Sequence, residues 1–292
     1  MLGCLSGYMD RGSTTSDVEL TRWSEGTWSP VDDHVARESP LKIEMRLCSE
    51  DVERSLFTMR TPGSDEDLAI GLCVTEGILR KSSDLAGIES QTILDPGSGE
   101  PLEAVIMSLD VPELRLDRLR HEGLVTSACG LCGRADAQVL FPPPSGQPSL
   151  DAQFVDPEML AELPDRMRNE QEAFTLSGGL HATAVFDSKG ELRFLAEDVG
   201  RHNAMDKVVG RWFRSMTSEP ASSLIWVWSG RASFELVMKA VAIGAAVVAA
   251  VGAPSSAAVE CADAHAITLV GFLSSGRMNV YSHPSRLNPP KT

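Results

Sequence analysis

The sequence is poor in positive charge. Against 41 Asp and Glu there are 26 Lys and Arg, a formal net charge of −15. That balance excludes a general nucleic-acid binder, which needs a basic face. It leaves room for one local cationic pocket. Cysteine is also scarce. The six residues, Cys4, Cys48, Cys73, Cys129, Cys132 and Cys261, are mostly isolated among apolar neighbours, and no disulfide framework is visible. The expected compartment is a reducing cytoplasm. No basic segment followed by an apolar one opens the chain, so no signal peptide is expected. The longest apolar run, residues 240–253, is too short to span a bilayer, and no membrane partner is expected. Internal repeats and heptads are missing as well.

What remains is 292 residues of ordinary globular composition, enough for one large domain or two smaller ones. Residues 1–38 are polar and read as a flexible leader. Residues 41–47 alternate apolar and polar as a half-buried strand does, and 55–59 read as a second strand. Thr61-Pro62-Gly63-Ser64 is a turn into a helix with Ser64 as N-cap, ending near Gly77. Asp95-Pro96-Gly97-Ser98-Gly99 is a hairpin turn before a strand over 104–109. A helix opens at Pro157, and Pro164 is expected to interrupt it. From Leu180 onward apolar strands (182–186, 192–196, 224–228, 245–251, 266–272) alternate with helices. That pattern implies an α/β fold with a largely parallel sheet covered by helices. The organisation expected is a leader (1–38), a smaller N-terminal α+β subdomain (39–145), an α/β domain (146–284) and a tail (285–292).

The densest chemistry lies in Cys129-Gly130-Leu131-Cys132-Gly133. Glycine lets the backbone approach a partner closely. A helix is expected just after Cys132, and a thiol at a helix N-terminus ionises more readily than free cysteine. Three chemistries are open to such a pair. A structural zinc needs four ligands, and the sequence offers no second Cys-x-x-Cys or His pair. A redox dithiol is the second. A sulfur carrier, with one cysteine holding a persulfide, is the third. A zinc deaminase would need a glutamate two residues after its histidine. Here His181-Ala182 is followed by Thr183, which cannot act as that base.

Several segments together resemble one family, the formate dehydrogenase accessory sulfurtransferases (FdhD). They are Met59-Arg60-Thr61-Pro62-Gly63, the Cys129–Cys132 segment, Ser177-Gly178-Gly179-Leu180-His181-Ala182 and Glu197-Asp198-Val199-Gly200-Arg201-His202-Asn203-Ala204-Met205-Asp206-Lys207. Ser229-Gly230-Arg231-Ala232-Ser233 and Val270-Gly271-Phe272 through Tyr281 complete the set. The resemblance covers residues 39–284. It implies a cytoplasmic homodimer with a cytidine deaminase-like core and no permanently bound metal. It also implies sulfur received from a cysteine desulfurase and passed to the molybdenum bis(molybdopterin guanine dinucleotide) cofactor of formate dehydrogenase. By that analogy Cys129 carries the persulfide and Cys132 is its companion. Phe272, Leu273, Ser274, Ser275, Gly276 and Arg277 match the cofactor-binding stretch.

Such a ligand is a polyanion with flat rings, and it needs cations, amides and small residues. Arg277 suits phosphate, or is a solvated surface arginine. Arg231, after a strand, is either a ligand contact or part of a plain turn. Arg201, His202 and Lys207 are read as cofactor contacts. The alternative is that Asp198 is an N-cap and His202 with Asp206 a surface i,i+4 pair. His181 is a site residue or a core histidine, and Arg60 faces the pocket or a partner. Cys48, Cys73 and Cys261 are expected to be inert core residues. A competing function is a chaperone that inserts the cofactor without handling sulfur. A zinc-dependent hydrolase is a remoter one.

Overall fold

The computed structural model describes residues 13–49, 52–95, 97–116, 123–125, 154–215 and 219–287. The chain opens with strands β1 (Thr15–Ser24) and β2 (Thr27–Ala36), an antiparallel hairpin in its own two-stranded sheet. For the described residues 13–38 this replaces the expected flexible leader; residues 1–12 lie outside the described residues. Glu25 and Gly26 both take positive φ, 50° and 85°. That is the turn whose twist suits a hairpin, though it usually shows itself as Asn-Gly or Asp-Gly. Trp23 and Trp28 face each other across the strands beside it.

A second sheet has the order β5-β6-β3-β4-β7, from β3 (Ser39–Leu47), β4 (Glu53–Arg60), β5 (Leu85–Leu94), β6 (Pro101–Leu109) and β7 (Gly123–Val125). Helix α1 (Asp65–Thr75) follows β4, and a short α2 (Glu113–Leu116) follows β6. Ser64 sits before α1 in the left-handed region and makes no side-chain cap. Its hydroxyl instead accepts from Arg211 Nη2 at 2.6 Å.

The third sheet has the order β13-β12-β11-β10-β8-β9. Its strands are β8 (His181–Phe186), β9 (Leu192–Asp198), β10 (Ile225–Trp228), β11 (Val247–Ala250), β12 (Thr268–Ser274) and β13 (Arg277–Ser282). Only β10, β11 and β12 run parallel among these six; the other three pairings are antiparallel. The largely parallel sheet is therefore corrected to a mixed one. The reason is local. β8 and β9 are joined as a hairpin through residues 187–191, and Gly276, at φ 73°, turns β12 straight into β13. A helical crossover is needed only between parallel strands.

The remaining helices are α3 (Pro157–Asn169), α4 (Glu172–Ser177), α5 (Arg201–Arg214), α6 (Phe234–Ile243) and α7 (Ser256–Ala264). Pro164 does not interrupt α3. The helix runs through it, capped by Asp156 and held by buried Leu160, Leu163 and Met167. Burial of such side chains, about 1.5–3 kcal/mol each, offsets the proline's cost. Residues 285–287 are not a loose tail either: Arg286 is 1% exposed, and its carbonyl accepts from Val155 N.

One hydrophobic core draws on both larger sheets, from Leu41 and Met107 to Trp226, Trp228 and Leu269. At its centre α1 crosses α5 with almost no space between backbones. A Cβ on Gly71 would lie 1.8 Å from the Asp206 carbonyl oxygen, and one on Gly210 would lie 1.9 Å from that of Asp67. Cys73 and Cys261 are buried, and burial pushes the Cys261 thiol up to about 11. Cys48 corrects the expectation of an inert core residue. It is exposed, in the bend just after β3.

Candidate functional site

The segment Asp198–Lys207 splits into two environments. Asp198, at the end of β9, is fully buried. It is not a helix cap by position: Gly200 holds that place, and Asp198 Oδ1 accepts from Gly200 N at 2.8 Å. It also accepts from Thr61 N at 3.1 Å and Asn203 Nδ2 at 3.1 Å, and pairs with Lys207 Nζ at 2.8 Å. Lys207 donates further to Thr61 O (2.7 Å) and Glu197 O (3.4 Å). Three oxygens match the three protons of an ammonium. Lys207 is thus a buried strut between the two larger sheets, and the expected cofactor contact at this position is corrected. Arg60 is buried too. It forms a fork on Asp65 at 2.8 and 2.7 Å, and it also bonds Ser39 and Glu103. Among the described residues it lines no cleft, and these side chains take up its guanidinium.

The expected His202–Asp206 surface pair does not form. Asp206 is buried against Lys239 Nζ and Thr75 Oγ1 at 2.8 and 2.9 Å. Burial raises its pKa, with Lys239 opposing. His202 turns to Glu235, with Nε2 2.9 Å from Oε2, and lies 3.4 Å from Ser233 Oγ. Ser233 caps α6.

Outside this buried network lies a cleft of about 540 Å³. It sits where the three parallel strands end. Ser229 follows β10, Val251 follows β11, and Leu273 and Ser274 close β12. Open α/β sheets bind ligands at such carboxyl ends. The opposite wall comes from α3 and α4, through Pro164, Arg168 and Phe174. Glu197 fixes that wall by accepting from Ala173 N (3.0 Å) and Phe174 N (2.8 Å) at the start of α4.

His181, first residue of β8, is half-buried at the cleft. The backbone of Gly230 lies against its ring: a Cβ there would stand 3.2 Å from Nδ1. Burial lowers the His181 pKa, and the charges of Arg201, His202 and Arg231 lower it further, against Asp198. Two arginines, Arg201 and Arg231, thus bear on one imidazole. Arg201, at the first position of α5, has a buried Nε with no hydrogen-bond partner among the described residues. Cations gathered in this way make an anion-accepting site.

The structure therefore brings together Leu273, Ser274, Ser275, His181 and Ser229 at the cleft, with Arg201 and Arg231 beside them. Phe272, Gly276 and Arg277 are not among the lining residues; Phe272 is exposed at φ 52°. Cys129 and Cys132 lie outside the described residues. The strand that leads toward them, β7, ends at Val125 in register with Thr58. Arg168, Phe174 and Gln171 are cleft residues that sequence reasoning missed, because nothing in residues 157–177 shows which helix faces meet a sheet edge.

The FdhD/NarQ family model matches residues 36–288. The chain belongs to the FdhD/NarQ family. A relative from Streptomyces coelicolor named "Sulfur carrier protein FdhD" is 40% identical over 284 residues, covering 94% of this chain and 96% of that one. One of the same name from Saccharolobus solfataricus is 37% identical over 278 residues, covering 94% and 99%. The fold matches a crystal structure of a candidate formate dehydrogenase accessory protein from Desulfotalea psychrophila. Its TM-score is 0.68 at 20% identity, covering 94% of this chain and 100% of that one. Among the described residues of this family member, no helix is long and apolar enough to cross a membrane.

Proposed function

We propose that this protein is a sulfur carrier in the maturation of formate dehydrogenase. In this reading it moves persulfide sulfur from a cysteine desulfurase to a molybdenum bis(molybdopterin guanine dinucleotide) substrate. The observation that carries the reading is the cationic cleft beside His181. A substrate with pyrophosphates and flat rings needs cations and small polar residues at one strand edge, and Arg201, Arg231, Ser229, Ser274 and Ser275 supply them. The relatives' shared name supports the sulfur chemistry.

The chemistry assigned to the cysteines is a two-step transfer. Cys129 thiolate attacks the outer sulfur of a donor persulfide and takes it, releasing the donor thiolate. Cys132 then attacks the inner sulfur of the Cys129 persulfide. That S–S bond breaks, sulfide leaves for the metal, and a Cys129–Cys132 disulfide remains for a cellular dithiol to reduce. The pair thereby supplies the two electrons that turn sulfane sulfur into sulfide. Topology supports delivery to the cleft. Val125 is in register with Thr58, Thr61 bonds Asp198, and Asp198 is in register with His181.

Kinship of the core with cytidine deaminases belongs to the same proposal, without deamination. Thr183, where a catalytic glutamate would stand, is 1% exposed in β8. A cytoplasmic homodimer is likewise part of it. The test is mass spectrometry after incubation with a cysteine desulfurase and cysteine. One added sulfur should map to the peptide with Cys129, be lost in Cys129→Ala, and accumulate in Cys132→Ala. A protein that gains no sulfur yet still matures formate dehydrogenase would be the inserting chaperone instead.

A further inference from the structure

The β1–β2 hairpin forms a sheet of its own, and its outer half is bare: every residue from 21 to 30 is exposed. Residues directly opposite in an antiparallel pair point to one face, and each face recurs at every second residue. The pairing therefore sorts the hairpin into two faces. One carries Val18, Leu20 and Val31, all half-buried. Arg22 shares that face and is matched by Asp33 at 3.3 Å. The other face carries Trp23 opposite Trp28, Glu19 opposite Asp32 and Asp17 opposite His34.

Two features of this second face are costly as they stand. Trp23 and Trp28 are 59% and 70% exposed. Large aromatics left in water mark contact surfaces, and tryptophan is among the residues most enriched where partners bury one another. Glu19 and Asp32 set like charges directly across a strand pair, which destabilises a sheet. Both are exposed, and neither has a hydrogen bond or ion pair among the described residues. Asp17 pairs with His34 at 2.7 Å, and the face holds no lysine or arginine.

We infer that this face docks a basic, extended segment of a partner protein. One cationic side chain sits between Glu19 and Asp32, which accept from it on both sides. A second lies over the tryptophan rings, whose faces attract cations. The two cross-strand pairs are four residues apart on each strand. At the rise of a strand that is about 13 Å, the distance an extended segment covers between cations four residues apart. Charge decides among occupants. A second copy docked symmetrically brings the same carboxylates against these, on a chain that carries −15 overall. A nucleic acid or an anionic membrane is repelled likewise.

The probe is a fluorescently labelled threonine–valine peptide of about nine residues with two arginines four positions apart, long enough to lie extended along both pairs. Its counterpart carries two glutamates instead. Anisotropy reads binding of each to the full chain at low salt. The arginine peptide should bind about tenfold tighter or more, and added salt should narrow the gap. Glu19→Gln combined with Asp32→Asn should weaken the arginine peptide about tenfold, the worth of one hydrogen bond to a charged group. The same variant relieves a like-charge pair, so it should melt no lower than wild type. Trp23→Ser combined with Trp28→Ser should weaken the arginine peptide by a similar factor. Wild type binding the two peptides equally, or binding neither, overturns the inference. Undiminished binding by the carboxylate variant does the same. So does sedimentation that finds wild type a dimer and the tryptophan variant a monomer, because a second copy then covers the face.

Discussion

Two sets of residues within one ten-residue segment make the sharpest contrast in the molecule. Asp198, Asn203 and Lys207 are sealed between the two larger sheets, and their polar atoms meet oxygens or nitrogens at 2.7–3.4 Å. Arg201, inside the same segment, lies near His181, and its Nε has no hydrogen-bond partner among the described residues. Residue types alone do not separate these roles; both sets carry charge. Partner count does. A buried cation that has found three oxygens is structural, because nothing else could compensate its desolvation. A cation near an imidazole and another arginine, with no ion pair among the described residues, is arranged for something that arrives from outside.

The strongest way to break that contrast is Lys207→Met. It should leave the Asp198 carboxylate buried and uncompensated, at about 3–5 kcal/mol of folding stability. Denaturant unfolding checks this. A loss within experimental error would return Lys207 to the list of phosphate contacts. Next is Gly71→Ala at the α1–α5 crossing. Alanine favours a helix by about 1 kcal/mol over glycine, but its Cβ would meet a carbonyl oxygen at 1.8 Å. The helices must separate, and we expect a net loss of about 1–3 kcal/mol by thermal unfolding.

Much of this was legible in the sequence. Alternation placed β3, β4 and β6, and the apolar runs placed β10, β11 and β12. The position of Ser274 and Ser275 after a strand marked one wall of the cleft. What escaped notice shares a physical cause. The β1–β2 hairpin turns on Glu25-Gly26, where glutamate hides a turn that asparagine would advertise. β13 has its side chains largely exposed and polar, so no burial pattern marks it. Helix α3 survives Pro164 because tertiary burial outweighs local propensity. Lys207 and Arg60 were read as available cations because burial and carbonyl partners from 146 and 21 residues away leave no trace in local spacing.

On the open side of the comparison, Arg201→Gln should do the reverse of Lys207→Met. Folding stability should stay within about 0.5 kcal/mol of wild type, as for a side chain with no ion pair to lose among the described residues. Affinity for inorganic pyrophosphate should fall about tenfold, the loss of one charge-assisted hydrogen bond. Titration calorimetry on both variants would then sort the two arginine and lysine positions by function. If Arg201→Gln destabilised the fold instead while binding pyrophosphate normally, the distinction between Arg201 and the sealed residues of the segment would collapse.

The smallest effect concerns His181 and depends on pH. Burial, with Arg201, His202 and Arg231 nearby, holds its folded-state pKa below the ordinary value of 6.5. The unfolded chain therefore takes up a proton first as pH falls. Between 6.5 and the lower folded-state value the unfolded state binds more protons, so stability declines on acidification through that window and is regained on returning to neutral pH. His181→Gln should flatten that part of the stability–pH curve by the contribution of one group. An anion in the cleft reverses the sign of the local field. Pyrophosphate should therefore raise the His181 pKa and draw in a proton, visible as imidazole proton resonances that stay downfield to higher pH. A titration curve that ignores pyrophosphate would mean that the cations around His181 face away from the ligand, and Arg201 would then belong with Lys207 among the struts.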